Sequence, residues 1–367
     1  MADASFYIIQ QKLTNFKNCQ SEMVQFSPKL NFIVGNNGIG KTNLLDAIYY
    51  TCLTKSYFTT DFMLPNFSDT YFRIETHLML NSENQIVEIK YLKQEKKEVF
   101  INKVKMEKQA EYIGRFPCVI ITPDDNQLIL GASELRRKFI DATLCQFSTE
   151  YLNHLTLYTK ILTQRNALLK SFFERKYFDK ILLESYNQKL IASGSFIFTQ
   201  RKLFVEKLIP IVEHIYSIIS GGKETISIAY HSDLIDTNFE QLIQQQEEHD
   251  KNALRTTKGV HTDDLSFKLN DFPVKKIGSQ GQQKTFLIAL KLAQYELLRQ
   301  EKHLYPLLLL DDIFDKLDTQ RMERIFRFIH DDNFGQVFIT DTNAASIQAI
   351  IDKNDISQYK IIPIGKL

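Results

Sequence analysis

The chain has 367 residues, 44% hydrophobic and 24% charged, with 27 Phe, 16 Tyr and no Trp, a composition that supplies a sizeable core for one large domain or two modest ones. Its net charge of +1 excludes any argument for nucleic acid from bulk basicity, while leaving open a local patch, because only charge facing the phosphates counts. The four cysteines (Cys19, Cys52, Cys118, Cys145) form no C-x-x-C pair, which fits buried thiols rather than a disulfide or metal framework, and with no signal-peptide pattern and no apolar run near the ~20 residues of a membrane span a cytoplasmic protein is expected, with no membrane partner.

The first third reads as mixed β and α. Phe32-Ile33-Val34 is a short apolar strand running into a glycine-rich loop, and Leu45, Ile48, Tyr49 and Cys52 recur at helical spacing behind it. Tyr71 to Leu80 and Gln85 to Leu92 alternate as antiparallel strands do, and Cys118 to Ile121 is a buried strand ending at the turn signal Thr122-Pro123. From Ser133 to about Ser220 helical patterns dominate: Tyr151, Leu155, Tyr158 and Leu162 share one face, and Leu182, Tyr186 and Leu190 another. Pro210 is expected to break or kink this stretch, and Gly221-Gly222 to end it. Gln241 to Asp250 is strongly polar, either a linker or a solvated helix end. The last third returns to α/β, with a helix over Thr285 to Gln300 and apolar strands at Leu307 to Leu310 and Val337 to Ile339, continuous runs of the kind found in parallel sheets covered on both faces. The simplest architecture places 1–125 and 260–367 in one α/β domain, with a helical lobe, 126–259, inserted between them.

Gly35-Asn36-Asn37-Gly38-Ile39-Gly40-Lys41-Thr42 matches the complete phosphate-loop pattern G-x-x-x-x-G-K-[ST]. The glycines let the backbone turn its N–H groups inward, Lys41 brings positive charge to the β and γ phosphates of ATP, the Thr42 hydroxyl is a ligand for Mg2+, and the following helix, with Asn43 in its first turn, points its positive end at the same place. Leu307 to Leu310 closed by Asp311 and Asp312 supplies a second phosphate-site signal. By itself it is a strand ending in two solvated acids; beside a phosphate loop, Asp311 is assigned to Mg2+ and Asp312 to the attacking water. Ser279-Gln280-Gly281-Gln282-Gln283-Lys284 opens a helix. Alone, it reads as a simple N-cap, though small and polar residues there also make an anion cradle. Asp315-Lys316-Leu317-Asp318 is compatible with a plain turn.

The order of these segments resembles the ABC-type ATPase head, and within that group the sequence resembles the RecF family of DNA replication and repair proteins over nearly its whole length. Leu13-Thr14-Asn15-Phe16-Lys17-Asn18 is similar to the family's N-terminal segment, and Gly35 to Ile48 follows its phosphate loop. Thr122-Pro123-Asp124-Asp125 and Arg136-Arg137-Lys138-Phe139-Ile140-Asp141 follow its Pro-x-Asp and Arg-Arg-x-Phe-x-Asp segments. Gln164 to Lys170 is similar to a signature of its helical arm, and His261-Thr262-Asp263-Asp264-Leu265 to its His-Arg-Asp-Asp-Leu segment. Val260, Thr262 and Thr59 depart from the usual Pro, Arg and Arg, so no DNA contact is carried onto them. Asp312 stands where many ABC-type heads have Glu; one methylene shorter, it holds water less well and implies slow turnover. The switch His of many transporters is absent near Thr340-Asp341-Thr342.

The resemblance implies an ATP-dependent homodimer that clasps DNA at single-strand gaps and acts with RecO and RecR to load the RecA recombinase, a weak DNA-stimulated ATPase. Ser279, Gly281 and Gln282 of one copy would cap the γ-phosphate held by Lys41, Thr42 and Asp311 of the other, on a face that completes no site within one chain. DNA would be held through its backbone. Arg136, Arg137, Lys138, Arg165 and Lys170 are candidate contacts, with salt bridges the plainer role for each. Three rivals fit less of the chain. A transporter ATPase usually carries Leu-Ser-Gly-Gly-Gln where this chain has Gly278 before Ser279 and Gln280 after it. An SMC-type chromosome protein needs hundreds of residues of heptad coil, and a small-molecule kinase leaves the Ser-x-Gly-Gln helix without a purpose.

Overall fold

The computed structural model describes residues 5–313, 317–330, 334–342, 347–348, 351–352 and 357–365. The expected turn residues Asp315 and Lys316 lie outside these. The chain divides into two compact units, Met1–Asp125 with Lys284–Leu367, and Asn126–Gln283.

In the first unit, chain order gives strands β1 (Phe6–Phe16), β2 (Cys19–Gln25) and β3 (Leu30–Val34), helix α1 (Lys41–Leu53), strands β4 (Tyr71–Leu80), β5 (Glu83–Leu92), β6 (Glu98–Ile101) and β7 (Val104–Lys105), the short helix α2 (Gln109–Tyr112) and strand β8 (Cys118–Ile121). An antiparallel six-stranded sheet runs β2-β1-β4-β5-β6-β7. Its alternation is visible in β4, where Phe72, Ile74 and Leu78 are buried and Tyr71 and Arg73 exposed, as a one-faced sheet requires. Aromatic packing fixes its junction with α1: Phe72 lies edge-on to both Phe16 and Tyr50, with ring centroids 5.4 Å apart in each pair, and each such pair adds about 0.5–1.5 kcal/mol beyond area burial.

The second unit follows with α3 (Asn126–Leu130), α4 (Ser133–Phe147), α5 (Thr149–Arg175), α6 (Lys180–Ser220), β9 (Ile226–His231), α7 (Phe239–Ala253), β10 (Asp264–Leu269), β11 (Phe272–Pro273) and α8 (Val274–Ile277). Helices α5 and α6 form a long hairpin, and the three strands make a sheet in the order β11-β10-β9. Residues 260–283 group with this second unit, whereas the simplest sequence-based division places them with the α/β domain: β10 pairs along its whole length with β9, and those hydrogen bonds keep the segment there. The polar stretch Gln241 to Asp250 is the body of α7. Pro210 does not break α6, which continues for 41 residues. The missing donor is one hydrogen bond, while Leu208, Val212, Ile215 and Tyr216 around it are all buried and hold the helix to its neighbours. Gly221 and Gly222, at φ 79° and 74°, terminate it in the left-handed region.

Buried charge organises this unit. The Arg165 guanidinium is fully buried and donates to Asp250 (2.8 Å), Thr256 (2.7 Å) and Asn187 (2.8 Å). Arg201 donates to Asp141, Asp263 and the Val260 carbonyl.

Helix α9 (Gln280–Lys302) leads into β12 (Leu307–Leu310), followed by α10 (Thr319–His330), β13 (Val337–Asp341) and β14 (Tyr359–Pro363). These strands join β3 and β8 in a five-stranded sheet of order β14-β3-β13-β12-β8, in which every pairing is parallel. The strand ends therefore all point the same way, and the loops leaving β3 and β12 emerge at one edge, the crevice where open parallel sheets bind ligands.

Candidate nucleotide site

The site begins at the carboxyl end of β3. Gly35 lies where an added Cβ would stand 2.8 Å from the Ile364 carbonyl oxygen and 2.2 Å from Ile39 Cδ1, so only glycine lets the loop leave the sheet there. Gly38 and Gly40 have φ of 80° and 118°, conformations that a Cβ disfavours. Gly40 is the N-cap of α1, with no side-chain cap and no acidic residue in the first turn of that helix. Among the described residues the first-turn N–H groups consequently have no side-chain acceptor, the arrangement that receives an anion. Asn36, Asn37 and Gly38 are exposed at the mouth of the loop, Ile39 is half-buried, and Lys41 is buried. The Lys41 ammonium donates to the loop's own carbonyls, Gly35 O at 2.7 Å and Asn36 O at 3.1 Å, which places it inside the curl. Asn43 donates through Nδ2 to Asn18 Oδ1 at 2.5 Å, and Asn18 donates to the Ile39 carbonyl at 3.3 Å, tying the loop to the β1–β2 turn.

Sequence positions 269 residues apart meet here. The Thr42 hydroxyl lies 3.1 and 3.0 Å from the two Asp311 carboxylate oxygens. Strand β13 lies between β3 and β12, and its Thr340 hydroxyl bridges the gap, donating to Asp311 at 2.8 Å and accepting from the Asp312 backbone N–H at 2.9 Å. Burial pushes the Asp311 carboxyl above the usual carboxylate range and Asp312 adds to the rise, while the Thr340 and Thr42 hydroxyls and Lys41 oppose it. A cation beside this carboxylate would offset the cost of its burial. Asp312 has φ 44°, in the left-handed region, just after the end of β12. The donor set fits Mg2+ with a nucleoside triphosphate: a hydroxyl, a desolvated carboxylate and an ammonium surround an anion-receiving loop.

Thr340 carries no motif, and its role is visible only from strand order. A second set gathers around Asp46 of α1: Lys17, Asp46 and Asp125 lie in family-like segments, but no sequence signal pairs them. Asp46 is buried and accepts from Lys17 (2.7 Å), Ser56 (2.6 Å) and the Tyr57 N–H (2.8 Å). Tyr57 in turn bonds Asp125, and Lys291 of α9 reaches Tyr57, Asp125 and the Ile120 carbonyl. This network anchors the segment after α1 and the turn after β8.

Ser279 and Gln282 form a reciprocal cap at the start of α9: the Gln282 N–H donates to Ser279 Oγ at 3.3 Å, and Gln282 Oε1 accepts from the Ser279 N–H at 2.8 Å, the geometry of a capping box. The plain reading of this segment is thus present, and something more is attached to it. The Gln282 amide also donates to Glu224 at 3.0 Å, and Glu224 accepts from Tyr216 near the end of α6. Ser279 is exposed and Gly281 half-buried.

Among the arginines and lysines weighed as DNA contacts, Arg136 forms a two-pronged pair with Asp264 and Arg137 donates to the Asp263 carbonyl, Lys138 pairs with Glu134, and Arg165 is wholly internal. Lys170 alone of the five is exposed without a pair among the described residues.

Residues 12–331 match the model of the AAA domain family. Over 351 residues the chain is 42% identical to the "DNA replication and repair protein RecF" of Flavobacterium johnsoniae, covering 95% of this chain and 97% of that protein. A protein of the same description from Bacteroides thetaiotaomicron is 40% identical over 358 residues, covering 96% and 95%. Among solved structures, that of "the recombination mediator protein RecF-ATP in RecFOR pathway" superposes with a TM-score of 0.88 at 28% identity, covering 100% of this chain and 97% of that one. The Smc head domain of Pyrococcus furiosus, solved with the C-terminal domain of ScpA, matches with a TM-score of 0.56 at 16% identity over 98% and 93% of the two chains, a likeness of fold. With its parallel and antiparallel sheets, phosphate loop and inserted helical lobe the architecture is that of an ABC-type ATPase head, and the chain belongs to the RecF family of DNA replication and repair proteins.

Proposed function

We propose that this chain is an ATP-dependent DNA-binding protein of recombinational repair and replication restart, in which ATP joins two copies around DNA at a single-strand gap. The observation that carries the reading is the convergence of Thr42, Asp311 and Thr340 on the mouth of the Gly35–Thr42 loop. Gly35 to Asn43 would cradle the phosphates, with Lys41 turning from the loop carbonyls to the β and γ oxygens. Thr42 and Asp311 would hold Mg2+, which when bound neutralises charge on the phosphate oxygens. Asp312 would orient the attacking water; its short side chain supports slow turnover, a reset rather than a motor stroke. Ser279, Gly281 and Gln282 of a second copy would cap the γ-phosphate, the capping box and Glu224 keeping that segment in shape. RecO and RecR are its expected partners in loading RecA. No described helix is long and apolar enough to cross a membrane.

The test is sedimentation of Asp312→Asn with ATP and gapped DNA. This variant retains the nucleotide-holding groups and loses the group assigned to water, so stable dimers on DNA are expected. A protein that remains monomeric under those conditions rules out the ATP-joined dimer.

A further inference from the structure

The hairpin of the second unit ends in an unusual surface. Helix α5 stops at Arg175 with Lys176 in the left-handed region as its C-cap, and α6 starts after Asp179, whose carboxylate caps the Leu182 N–H at 2.9 Å. At this tip Phe173 near the end of α5, Tyr177 between the helices and Ile181 at the start of α6 are 70%, 65% and 86% exposed. A turn at the end of a solvated hairpin ordinarily carries small and polar residues, and three large apolar side chains standing in water are the kind of patch that marks a binding surface.

Two features show that the turn is built rather than loose. Phe178 packs edge-on to Phe172 with centroids 5.1 Å apart, and the Lys251 ammonium of α7 sits 3.9 Å from the Phe178 ring centroid. These contacts fix the turn from behind while leaving Phe173 and Tyr177 outward. The charge around the rings is cationic: Lys170, Arg175, Lys176 and Lys180 are all exposed, and none of them has an ion-pair partner among the described residues. Only Glu174 and the capping Asp179 oppose them in the same turn. Exposed rings interleaved with unpaired cations match the chemistry of a nucleic-acid strand, rings for base faces and ammonium or guanidinium groups for phosphates. Bases stacked within a duplex present no free face to a ring, so the ligand this surface selects is unpaired.

We infer that the tip of the α5–α6 hairpin is a stacking site for unpaired bases, engaging Phe173 and Tyr177 with Lys176 and Lys180 on the flanking phosphates. This rests on the proposed DNA-binding function and adds to it a device by which the arm distinguishes a gap from continuous duplex, without reading base identity, since every base has a π face.

The experiment uses the full chain with ATP and Mg2+, and compares wild type with Phe173→Ala, Tyr177→Ala and the double variant by fluorescence anisotropy on oligo(dT), gapped duplex and blunt duplex. The side chains are exposed, so their removal leaves the fold intact, which thermal melting checks. Affinity for oligo(dT) and gapped duplex is expected to fall about ten-fold per ring, with blunt-duplex affinity unchanged. Lys176→Gln with Lys180→Gln is expected to flatten the salt dependence of oligo(dT) binding. A double variant that binds oligo(dT) as wild type does overturns the inference and leaves docking of another protein as the use of the surface. An equal fall on all three DNAs also overturns it, because selectivity for unpaired bases is then absent. If the wild type binds none of the three, the DNA-binding reading itself fails, an outcome distinct from a wild type that binds but ignores the tip.

Discussion

Replacing Asp311 by Asn separates what this carboxylate costs the fold from what it does for a nucleotide. The side chain is 4% exposed and accepts from two hydroxyls, Thr42 and Thr340. Hydrogen bonds to a charged group contribute about 1.5–3 kcal/mol each and neutral ones about 0.5–1.5, so neutralising the acceptor forfeits about 2–3 kcal/mol over the pair. Against this stands the desolvated charge. The carboxyl is held above its usual range with burial as the largest cause, so the fold disfavours the charge relative to water even with both hydroxyls in place, and the cost of desolvation outweighs what they contribute. The nucleotide-free variant is therefore expected to be more stable than wild type at neutral pH. The pH dependence has a definite sign. With the folded-state pKa above the unfolded value, the native state keeps a proton the unfolded chain has released, so the contribution of this group is favourable in acid and is lost as pH rises through the folded-state pKa. The advantage of the variant should shrink on acidification. With ATP and Mg2+ the order reverses. Ligand at a hundred times its Kd stabilises wild type by about 2.7 kcal/mol, or roughly 5–10 °C in Tm for a unit of this size, and the variant should lose most of that increment. Thermal melts with and without ATP·Mg2+ between acid and neutral pH measure both effects. A variant less stable than wild type without nucleotide, yet shifted equally by ATP·Mg2+, refutes the reasoning.

Asp250→Asn leaves the wholly buried Arg165 guanidinium without its carboxylate and should cost about 3–5 kcal/mol, read as a lower urea midpoint; a loss under about 1 kcal/mol would mean that Asn187 and Thr256 suffice to hold the charge. Joint replacement of Arg165 and Asp250 by Met and Leu should restore much of that loss, and a double variant no more stable than Asp250→Asn would contradict the assignment of the cost to an unpaired charge.

What the sequence revealed followed from how local its signals are. The phosphate loop is one unbroken segment whose strand and helix adjoin it, so Gly35 to Thr42 could be read directly, and the acid pair Asp311-Asp312 stood out because four leucines precede it. Thr340 did not, since its place between the two depends on β13 lying between β3 and β12, a matter of strand order that no local pattern encodes. The α7 helix was ambiguous because its exposed face is so polar, while Phe239, Leu242, Ile243 and Asp250, the buried side, are spread thinly along it. Pro210 misled in the other direction: helix propensity argues for a break, and the buried residues on both sides of it outweigh one lost hydrogen bond. Arg165 and Asp250 are 85 positions apart, so while a salt bridge is the plainer expectation for the arginine, its partner and its complete burial could not be inferred from either neighbourhood. The compact units part after 283 rather than at 260 because β10 pairs with β9, a strand that is short and polar on one face and gives little signal of its own.

The most direct test of the central claim is equilibrium binding of fluorescent gapped DNA with and without ATP·Mg2+, for wild type and for Lys41→Met. The Lys41 ammonium already lies inside the loop, 2.7 Å from the Gly35 carbonyl, and is the only cationic side chain the loop itself provides. Wild type should bind the DNA tightly with ATP and weakly without it, and the variant should bind weakly in both conditions and sediment as a monomer. Equal binding by both proteins, unaffected by ATP, would contradict the claim that nucleotide held in this loop controls the grip on DNA.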